Sequence, residues 1–313
     1  MFNIQRYTSD KQAEWDAFIA QSKNGTFLMQ RGYMDYHSDR FVDCSLMFYL
    51  KEKLYAVIPA NISGDTFYSH QGLTYGGVVM SDRCTTADVL QLFEEMNEWL
   101  KIAGVKKVVY KPIPHIYSSM PSEEDLYALF RCGAKIEARG ISTCIDIQAH
   151  RKWRQNRRTA LNKSVMEGIA VEVSEVSDDL KRFWEILDAN LMQGHGIHLV
   201  HTLEEMRRLK SKFPKNIVLW VAKNTNGEIV AGILMYLTKN VIHSQYISAT
   251  SEGKAKGAVD AIMHEILRSD TRYFDFGIST ERGGTYLNEK LIFQKEGFGG
   301  RGICYDIYEY SIS

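Results

Sequence analysis

Both halves of this 313-residue chain predict the same order of secondary structure: strand, helix, helix, three strands, helix, strand, helix and strand. The first series ends with a strand at Lys135–Ile147, and the second begins with a strand at Ile169–Val173. Ten elements are unlikely to recur in one order by chance, even when their boundaries are wrong by several residues. We therefore predict an α/β (α+β) chain of two similar domains, residues 1–145 and 146–313, each with a mixed, twisted sheet that is flanked by helices.

Local signals support the elements of the second series. Asn226-Gly227 lies between two apolar runs and predicts a tight β-hairpin. Thr202 and Glu205 have the spacing of a capping box, which predicts the start of a helix. The segment Tyr273–Phe276 is short and apolar, which is typical of a buried strand.

Composition narrows the class of protein. The chain is 45% hydrophobic and 24% charged, so both halves can bury a core, and a formal net charge of zero does not indicate polyanion binding by the whole chain. No apolar run is long enough to span a membrane, and the first residues lack the apolar region of a signal peptide. The five cysteines have no metal-ligand spacing. We expect a cytoplasmic protein without a metal ion.

One loop and the helix that follows it have the features of an anion site. A predicted strand at Val241–Ser248 leads through residues 249–254 into an amphipathic helix, Lys254–Leu267. The first turn of a helix has unpaired N–H groups, and Gly253 and Gly257 would let a phosphate approach the backbone. The alternative is an ordinary capped loop.

A basic segment joins the two halves. Residues 151–166 are predicted to form a helix at the junction, and no acidic residue occurs between Ala149 and Met166. Arg157 and Arg158 could clamp a phosphate or carboxylate, because arginine presents a forked donor to such groups. The alternative is a solvated linker helix.

At this point the residues resemble a known family. The order of elements is that of the GNAT acyltransferase fold, and two such domains in tandem resemble the FemAB-like and BioF2-like acyltransferases. The segments that carry the resemblance are WRQNRRTALNKS, HSQYISATSEGKAKGA, FDFGIST and LIFQKEGFGG. The resemblance covers nearly the whole chain and implies an acyltransferase.

The resemblance also implies where a donor binds. In GNAT proteins the fourth strand, the loop after it and the third helix hold the pyrophosphate of acyl-CoA. The corresponding positions are Ser248, Ala249, Thr250, Gly253, Lys254 and Gly257. The loop departs from the usual Arg or Gln followed by Gly-x-Gly or Gly-x-Ala. Relatives of FemAB that use aminoacyl-tRNA also lack the usual loop.

Three side chains are candidates for the proton transfers that acyl transfer to an amine requires. His243 lies near the start of the fourth strand and could instead be a hydrogen-bonded core histidine. Glu281 follows the fifth strand and could instead pair with Arg282. Tyr286 lies at the start of a predicted helix, Thr285–Phe293, where it could protonate a leaving thiolate or simply pack.

Other residues are candidates for contacts with the acceptor. His195, His198 and His201 are spaced by three in a glycine-containing loop, and without a nearby cysteine or carboxylate they do not indicate zinc. His70 and Tyr75 lie in the first half, where the second half has its donor loop. The substrate-binding candidates are His195, His198, His201, Tyr246, His70, Tyr75, Arg157 and Arg158.

Three functions are compatible with these patterns. The leading hypothesis is transfer of an acyl group from acyl-CoA to an amine of a small molecule or a cell-envelope precursor. A second is a FemAB-type aminoacyl transferase that uses aminoacyl-tRNA, which the basic helix would suit. A third is a ligand-binding tandem GNAT module without catalysis.

Overall fold

The computed structural model describes residues 1–149, 151–194 and 199–312. Across those residues no helix is both long enough and apolar enough to cross a membrane. In chain order the strands are β1 (Asn3–Arg6), β2 (Val42–Asp43), β3 (Leu46–Leu50), β4 (Lys53–Ile58), β5 (Asn61–Ser63), β6 (Thr66–Tyr68), β7 (Val79–Met80), β8 (Lys107–Tyr110), β9 (Lys135–Asp146), β10 (Ala170–Ser174), β11 (Ile217–Lys223), β12 (Ile229–Leu237), β13 (Val241–Ala249), β14 (Tyr273–Ile278), β15 (Thr280–Glu281), β16 (Tyr286–Leu287) and β17 (Arg301–Ser311).

The α-helices lie mainly between these strands. They are α1 (Gln12–Gln21), α2 (Arg31–Met34), α3 (Thr86–Ile102), α4 (Glu124–Arg131), α5 (Gln155–Met166), α6 (Ser177–Gly194), α7 (Leu203–Lys212), α8 (Ser251–Ala255), α9 (Ala258–Ile266) and α10 (Glu289–Glu296). Short 3₁₀ turns connect several of them.

The chain divides into two compact units. Unit 1 comprises Met1–Ile141, Thr280–Tyr286 and Cys304–Ser313, and unit 2 comprises Ser142–Ser279 and Leu287–Ile303. Each unit is therefore built from more than one stretch of sequence. The sequence-based division at residue 145 stays a prediction.

Two sheets of unit 1 enclose an apolar core, and the short sheet β15-β16 lies mainly in this unit as well. The strand orders of the two enclosing sheets are β1-β3-β4-β7 and β17-β8-β6-β5-β2. Helix α3 begins at a capping box between Thr85 and Asp88, which satisfies two backbone donors at its first turn. Apolar residues spaced by three and four place one face of α3 in the core, where the buried residues are Val89, Leu92, Phe93, Met96 and Leu100.

Unit 2 is a twisted sheet with helices packed against both of its faces. The strand order is β10-β11-β12-β13-β14-β9, and only β13 and β14 pair in parallel. The sequence of β12, IVAGILMYL, is apolar and buried along nearly its whole length, as expected for a strand covered on both faces. The ring of Phe183 on α6 occupies the space that Gly232 leaves on one face, and α9 contributes to the apolar core on the other.

Two predicted helices of the second half differ in the structure. The prediction of a single helix at Lys254–Leu267 is wrong, because α8 ends before Gly257 and α9 begins after it. Gly257 has a φ of +70°, a left-handed conformation that interrupts a right-handed helix.

The helix expected at Thr285–Phe293 is also wrong, because α10 begins at Glu289. Asn288 accepts a hydrogen bond from the Leu291 backbone N–H and caps that helix. Tyr286 therefore lies in the short strand β16 and not at a helix start. The helix predicted at residues 151–166 is present but begins at Gln155.

Candidate active site

The parallel pair of strands in unit 2 separates after three residue pairs. β13 and β14 are paired from Val241 with Tyr273 to His243 with Asp275. Beyond that point, β14 is irregular against β9 between Asp275 and Ile278. His243 and Asp275 are thus the last paired residues before the strands separate.

His243 and Asp275 form a hydrogen-bonded pair at this point. The His243 Nδ1 lies 2.9 Å from Asp275 Oδ2, and the Asp275 side chain is fully buried. Because a carboxylate accepts hydrogen bonds, Nδ1 of His243 is the donor of this bond, and Nε2 is the ring nitrogen that is left to accept a proton. The other Asp275 oxygen accepts bonds from the Ser142 hydroxyl and the Gly277 N–H. Asp275 therefore fixes the imidazole in one tautomer and one orientation.

Lys295 of α10 holds the irregular end of β14. Its ammonium group donates to the carbonyl oxygens of Gly277 at 2.8 Å and Ile278 at 3.0 Å. Burial lowers the pKa of Lys295 to about 8, although the negative charge of Asp275 acts in the opposite direction. Sequence reasoning missed both Asp275 and Lys295, and the only local signal was one acidic residue within the apolar YFDFG strand.

The lowered pKa of Lys295 predicts how stability depends on pH. Between about pH 8 and 10.5 the unfolded chain binds more protons at this lysine than the folded chain, so the free energy of unfolding rises with pH. The rise from this lysine alone is up to about 3 kcal/mol. Denaturant titrations from pH 7.5 to 10.5 are expected to show a smaller rise for Lys295→Met than for wild type. The exposed Lys290→Met is the matched control and should follow wild type; parallel curves for all three proteins would contradict the assignment.

A β-bulge in β13 changes which of its side chains share a face of the sheet. The register shifts between Leu234 and Met235 of β12, which leaves Gln245 of β13 as an extra residue. Residues three apart on a regular strand point to opposite faces. The bulge instead brings His243 and Tyr246 to the same face.

Helix α6 covers this face of β13 and meets several of its polar groups. The rings of Trp184 and Tyr246 pack edge to face with centroids 5.3 Å apart. The Tyr246 hydroxyl lies 2.7 Å from Nδ1 of the buried His201. Burial raises the pKa of Tyr246, so this hydroxyl is protonated at neutral pH. The structure thus brings together two substrate-binding candidates, Tyr246 and His201, on the face that carries His243.

The predicted donor loop is tied together by an α6 residue that sequence reasoning missed. The amide of Asn190 donates to Ser248 Oγ at 2.8 Å and to the Ala249 carbonyl at 2.9 Å. Its oxygen accepts a bond from Lys254 Nζ at 2.6 Å. Thr250 caps α8 through a bond from the Gly253 N–H. Lys254 therefore lies beside the end of β13.

The two glycines of this loop have a different explanation from the predicted one. A Cβ on Gly253 would lie 2.2 Å from the Val230 carbonyl oxygen, and one on Gly257 would lie 2.2 Å from the Ala160 carbonyl oxygen. Both residues are glycine because β12 and α5 pack directly on them. This packing explains both glycines without a ligand, and the approach of a ligand to them stays a prediction.

Comparison with protein-family models gives the family of this region. Residues 148–286 match the model described as the acetyltransferase (GNAT) domain. The match identifies a GNAT domain in this part of the chain. A comparison with curated proteins finds no significant match.

Solved structures share the GNAT fold over the whole length of the chain. The structure of FemX is similar with a TM-score of 0.70 and 11% identity, over 99% of this chain and 97% of that one. The C-terminal domain of a putative lysylphosphatidylglycerol synthetase from Agrobacterium fabrum has a TM-score of 0.62 and 15% identity, over 98% and 92%. A tandem GNAT protein from the clavulanic acid biosynthesis pathway has a TM-score of 0.51 and 9% identity, over 100% and 99%. The predicted fold class is confirmed.

The basic helix of the GNAT domain uses one of its two candidate arginines internally. Arg157 pairs with the buried Asp260 at 3.3 Å, donates to the Gln294 carbonyl and stacks over Phe298. The guanidinium thus joins α5 to α9, and the predicted role of Arg157 as a substrate clamp stays a prediction. Arg158 is exposed, and its side chain donates to Gln155 on its own helix.

Four further candidates belong to unit 1. Glu281 and Tyr286 are exposed residues of unit 1, whereas His243 lies in unit 2. His70 and Tyr75 are buried in unit 1; the Tyr75 hydroxyl bonds to a threonine and its ring packs on a tyrosine. Nδ1 of His70 accepts a bond from the Gly72 N–H, and its ring packs on Phe41. Both residues therefore have contacts within the protein.

Two predicted substrate contacts, His195 and His198, lie outside the described residues. Among the described residues no cluster of His, Cys, Asp and Glu could hold a metal ion.

Proposed function

We propose that the chain is an acyltransferase that moves an acyl group from acyl-CoA to an amine of a small molecule or a cell-envelope precursor. The observation that carries this proposal is the His243–Asp275 pair at the point where β13 and β14 separate. An imidazole held in one tautomer by a buried carboxylate is suited to act as a general base. The GNAT match of residues 148–286 supports acyl transfer as the type of reaction.

The chemistry would follow from the orientation of His243. The amine nitrogen attacks the acyl carbonyl carbon while Nε2 of His243 accepts a proton from the amine. The C–S bond of the thioester then breaks, and the CoA thiolate leaves and takes up the proton from the imidazolium. Asp275 keeps the Nδ1 proton in place and stabilises the imidazolium that forms. Lys295 acts indirectly, because it fixes the backbone at Gly277 and Ile278 next to that carboxylate. Holding the amine beside the carbonyl supplies the rest of the rate enhancement.

A direct attack by the amine fits this site better than a cysteine nucleophile. Cys144 is paired with Asp275 across β9 and β14. Burial raises its pKa, and the negative charge of Asp275 raises it further. Because the thiolate is the reactive form, Cys144 stays unreactive at neutral pH.

Lys254 is the residue that best supports acyl-CoA as the donor. Its ammonium group bonds to the neutral amide of Asn190, whereas Lys256 pairs with both Glu167 and Glu252. A phosphate at the end of β13 would therefore be attracted by the positive charge of Lys254. Lys256 would contribute little attraction, because its two carboxylate partners offset its charge.

Two observations support aminoacyl-tRNA as the alternative donor. The space beside Gly253 and Gly257 is filled by protein backbone, so the glycines are not evidence for acyl-CoA. One of the proteins with a similar fold is also named for the synthesis of lysylphosphatidylglycerol, a product that contains an amino acid. The mechanism at His243 is the same for both donors, because each presents an activated carbonyl.

A thiol-release assay distinguishes the two donors. With acetyl-CoA and a panel of amines, we expect release of CoA thiol that depends on the added amine. Lys254→Met is expected to raise the KM for acetyl-CoA about tenfold, the loss of about 1.4 kcal/mol of binding. Lys256→Met is the matched control and should change KM less than about twofold.

The opposite result has a specific meaning in this assay. If no amine releases thiol from acetyl-CoA but the protein discharges aminoacyl-tRNA, the donor is the aminoacyl ester of the tRNA. The proposal that acyl-CoA is the donor is then wrong. If neither donor reacts with any acceptor of the panel, the His243–Asp275 pair does not serve acyl transfer to these amines.

A further inference from the structure

A cavity of about 760 Å³ opens on the surface of unit 1. It is lined by residues 1–4, one face of α3, the end of α4 and the end of β17, and all of these belong to unit 1. Sites for small molecules have volumes of about 300 to 1,000 Å³. The cavity is therefore large enough to hold a small organic molecule.

The walls of this cavity are mainly apolar and are held in place by the core. Ile4, Trp99 and Ile312 pack against the apolar core of unit 1 and also line the cavity. Ile102, at the end of α3, adds an apolar side chain that is 87% exposed. Because the core fixes these walls, the cavity is formed before a ligand binds.

Hydrogen bonds connect the elements that form the cavity. The hydroxyl of the buried Tyr310 donates to Asn97 Oδ1 at 2.9 Å, and Asn97 Nδ2 donates to Cys132 Sγ at 3.5 Å. The Glu95 carboxylate accepts bonds from the Phe2 N–H at 2.6 Å and from a glutamine amide of α3 at 2.7 Å. These bonds join α3 to the start of β1, to β17 and to the end of α4.

Two further carboxylates of the lining have no such partners. Glu94 and Glu98 are exposed and lie four residues apart, on one face of α3. Within residues 1–149, 151–194 and 199–312, neither carboxylate accepts a hydrogen bond or forms an ion pair. Like charges at this spacing destabilise a helix slightly. The described lining has three glutamates and one basic side chain, Arg131, so a positive charge is favoured there.

We propose that this cavity binds an organic cation with an apolar body, such as an arylalkylamine in its ammonium form. The carboxylates of Glu94 and Glu98 attract the charge, and the apolar walls cover the body of the molecule. Trp99 adds to the preference for a cation, because indole is the aromatic group that attracts cations most strongly. The proposal does not depend on acyl transfer at His243, because binding requires no donor.

The test measures binding by titration calorimetry in the absence of any acyl donor. The probes are 4-phenylbutylamine as the cation, 4-phenylbutan-1-ol as the neutral analogue and 5-phenylpentanoate as the anion. They share an aryl and alkyl body, so they differ mainly in charge. We expect the amine to bind about fivefold more tightly than the alcohol at low salt, and the anion to bind more weakly than the alcohol. High salt should reduce the difference between amine and alcohol, because it screens exposed charges.

Charge-neutralising variants assign the binding to this cavity. Glu94→Gln combined with Glu98→Gln should lower the affinity for the amine about fivefold and leave the affinity for the alcohol unchanged. Glu52→Gln combined with Glu123→Gln is the matched control, because it removes the same charge from exposed residues outside the lining. The control should change either affinity less than about twofold. His243→Gln should bind the amine as wild type does.

Several outcomes would overturn the proposal. Absence of amine binding, or equal affinity for amine and alcohol, would show that the cavity does not select a cation. Full amine affinity in the variant of Glu94 and Glu98, or its loss in His243→Gln, would place the amine at another site. A dimer that sedimentation detects for wild type but not for the variant of Glu94 and Glu98 would assign the cavity to a second copy of the chain.

Discussion

Asp275→Asn is expected to lower kcat for acyl transfer by about a thousandfold or more, with a smaller change in KM. An asparagine side chain keeps the size of the aspartate but carries no charge. It can present its NH₂ group to His243, which would move the imidazole proton to the other nitrogen and leave Nε2 unable to accept one. His243→Gln should have an effect of about 100- to 10,000-fold, because it removes the base itself.

Asp260→Asn is the matched control for this prediction. Asp260 is also a buried aspartate of unit 2 with a basic partner, Arg157, but it lies on α9 and away from the strand pair. We expect Asp260→Asn to lower stability and to change kcat less than about threefold. Equal losses of kcat in both variants would mean that the buried charges of unit 2 matter only for folding. Asp275 would then have no specific role in orienting His243.

Gly257→Ala is expected to lower the free energy of unfolding by about 3 kcal/mol or more. The added Cβ would lie 2.2 Å from the Ala160 carbonyl oxygen, so α5 must move, and the residue also has a φ of +70°. Gly227→Ala is the matched control, because Gly227 has a φ of +80° with nothing within 4 Å of an added Cβ. We expect Gly227→Ala to lower the free energy of unfolding by about 1 kcal/mol, because only the left-handed backbone conformation disfavours alanine there.

Denaturant titration of both variants measures this difference. Similar losses for Gly257→Ala and Gly227→Ala would show that α5 moves aside easily and that packing is not the reason for Gly257. If Gly257→Ala kept wild-type stability and lost only donor affinity, the glycine would make room for a ligand, as the sequence alone had indicated.

The sequence by itself determined the order and type of most elements. Alternation, helical spacing and turn residues act over a few neighbours, so they can be read without the fold. The Asn226-Gly227 turn joins β11 and β12, and Thr202 and Glu205 form the predicted capping box of α7. The family-model match and the similar structures confirm the predicted fold class. The roles of the site residues stay predictions.

Only the tertiary structure decided how the candidate site is assembled. His243 was a candidate from the sequence, but its partner Asp275 is 32 residues away and meets it only through strand pairing. The bulge at Gln245 brings Tyr246 to the face of His243, and a period of two cannot anticipate one extra residue. The backbone beside Gly257 likewise comes from α5, far along the chain. Pairing register and packing are set by contacts between distant segments, so local patterns do not contain them.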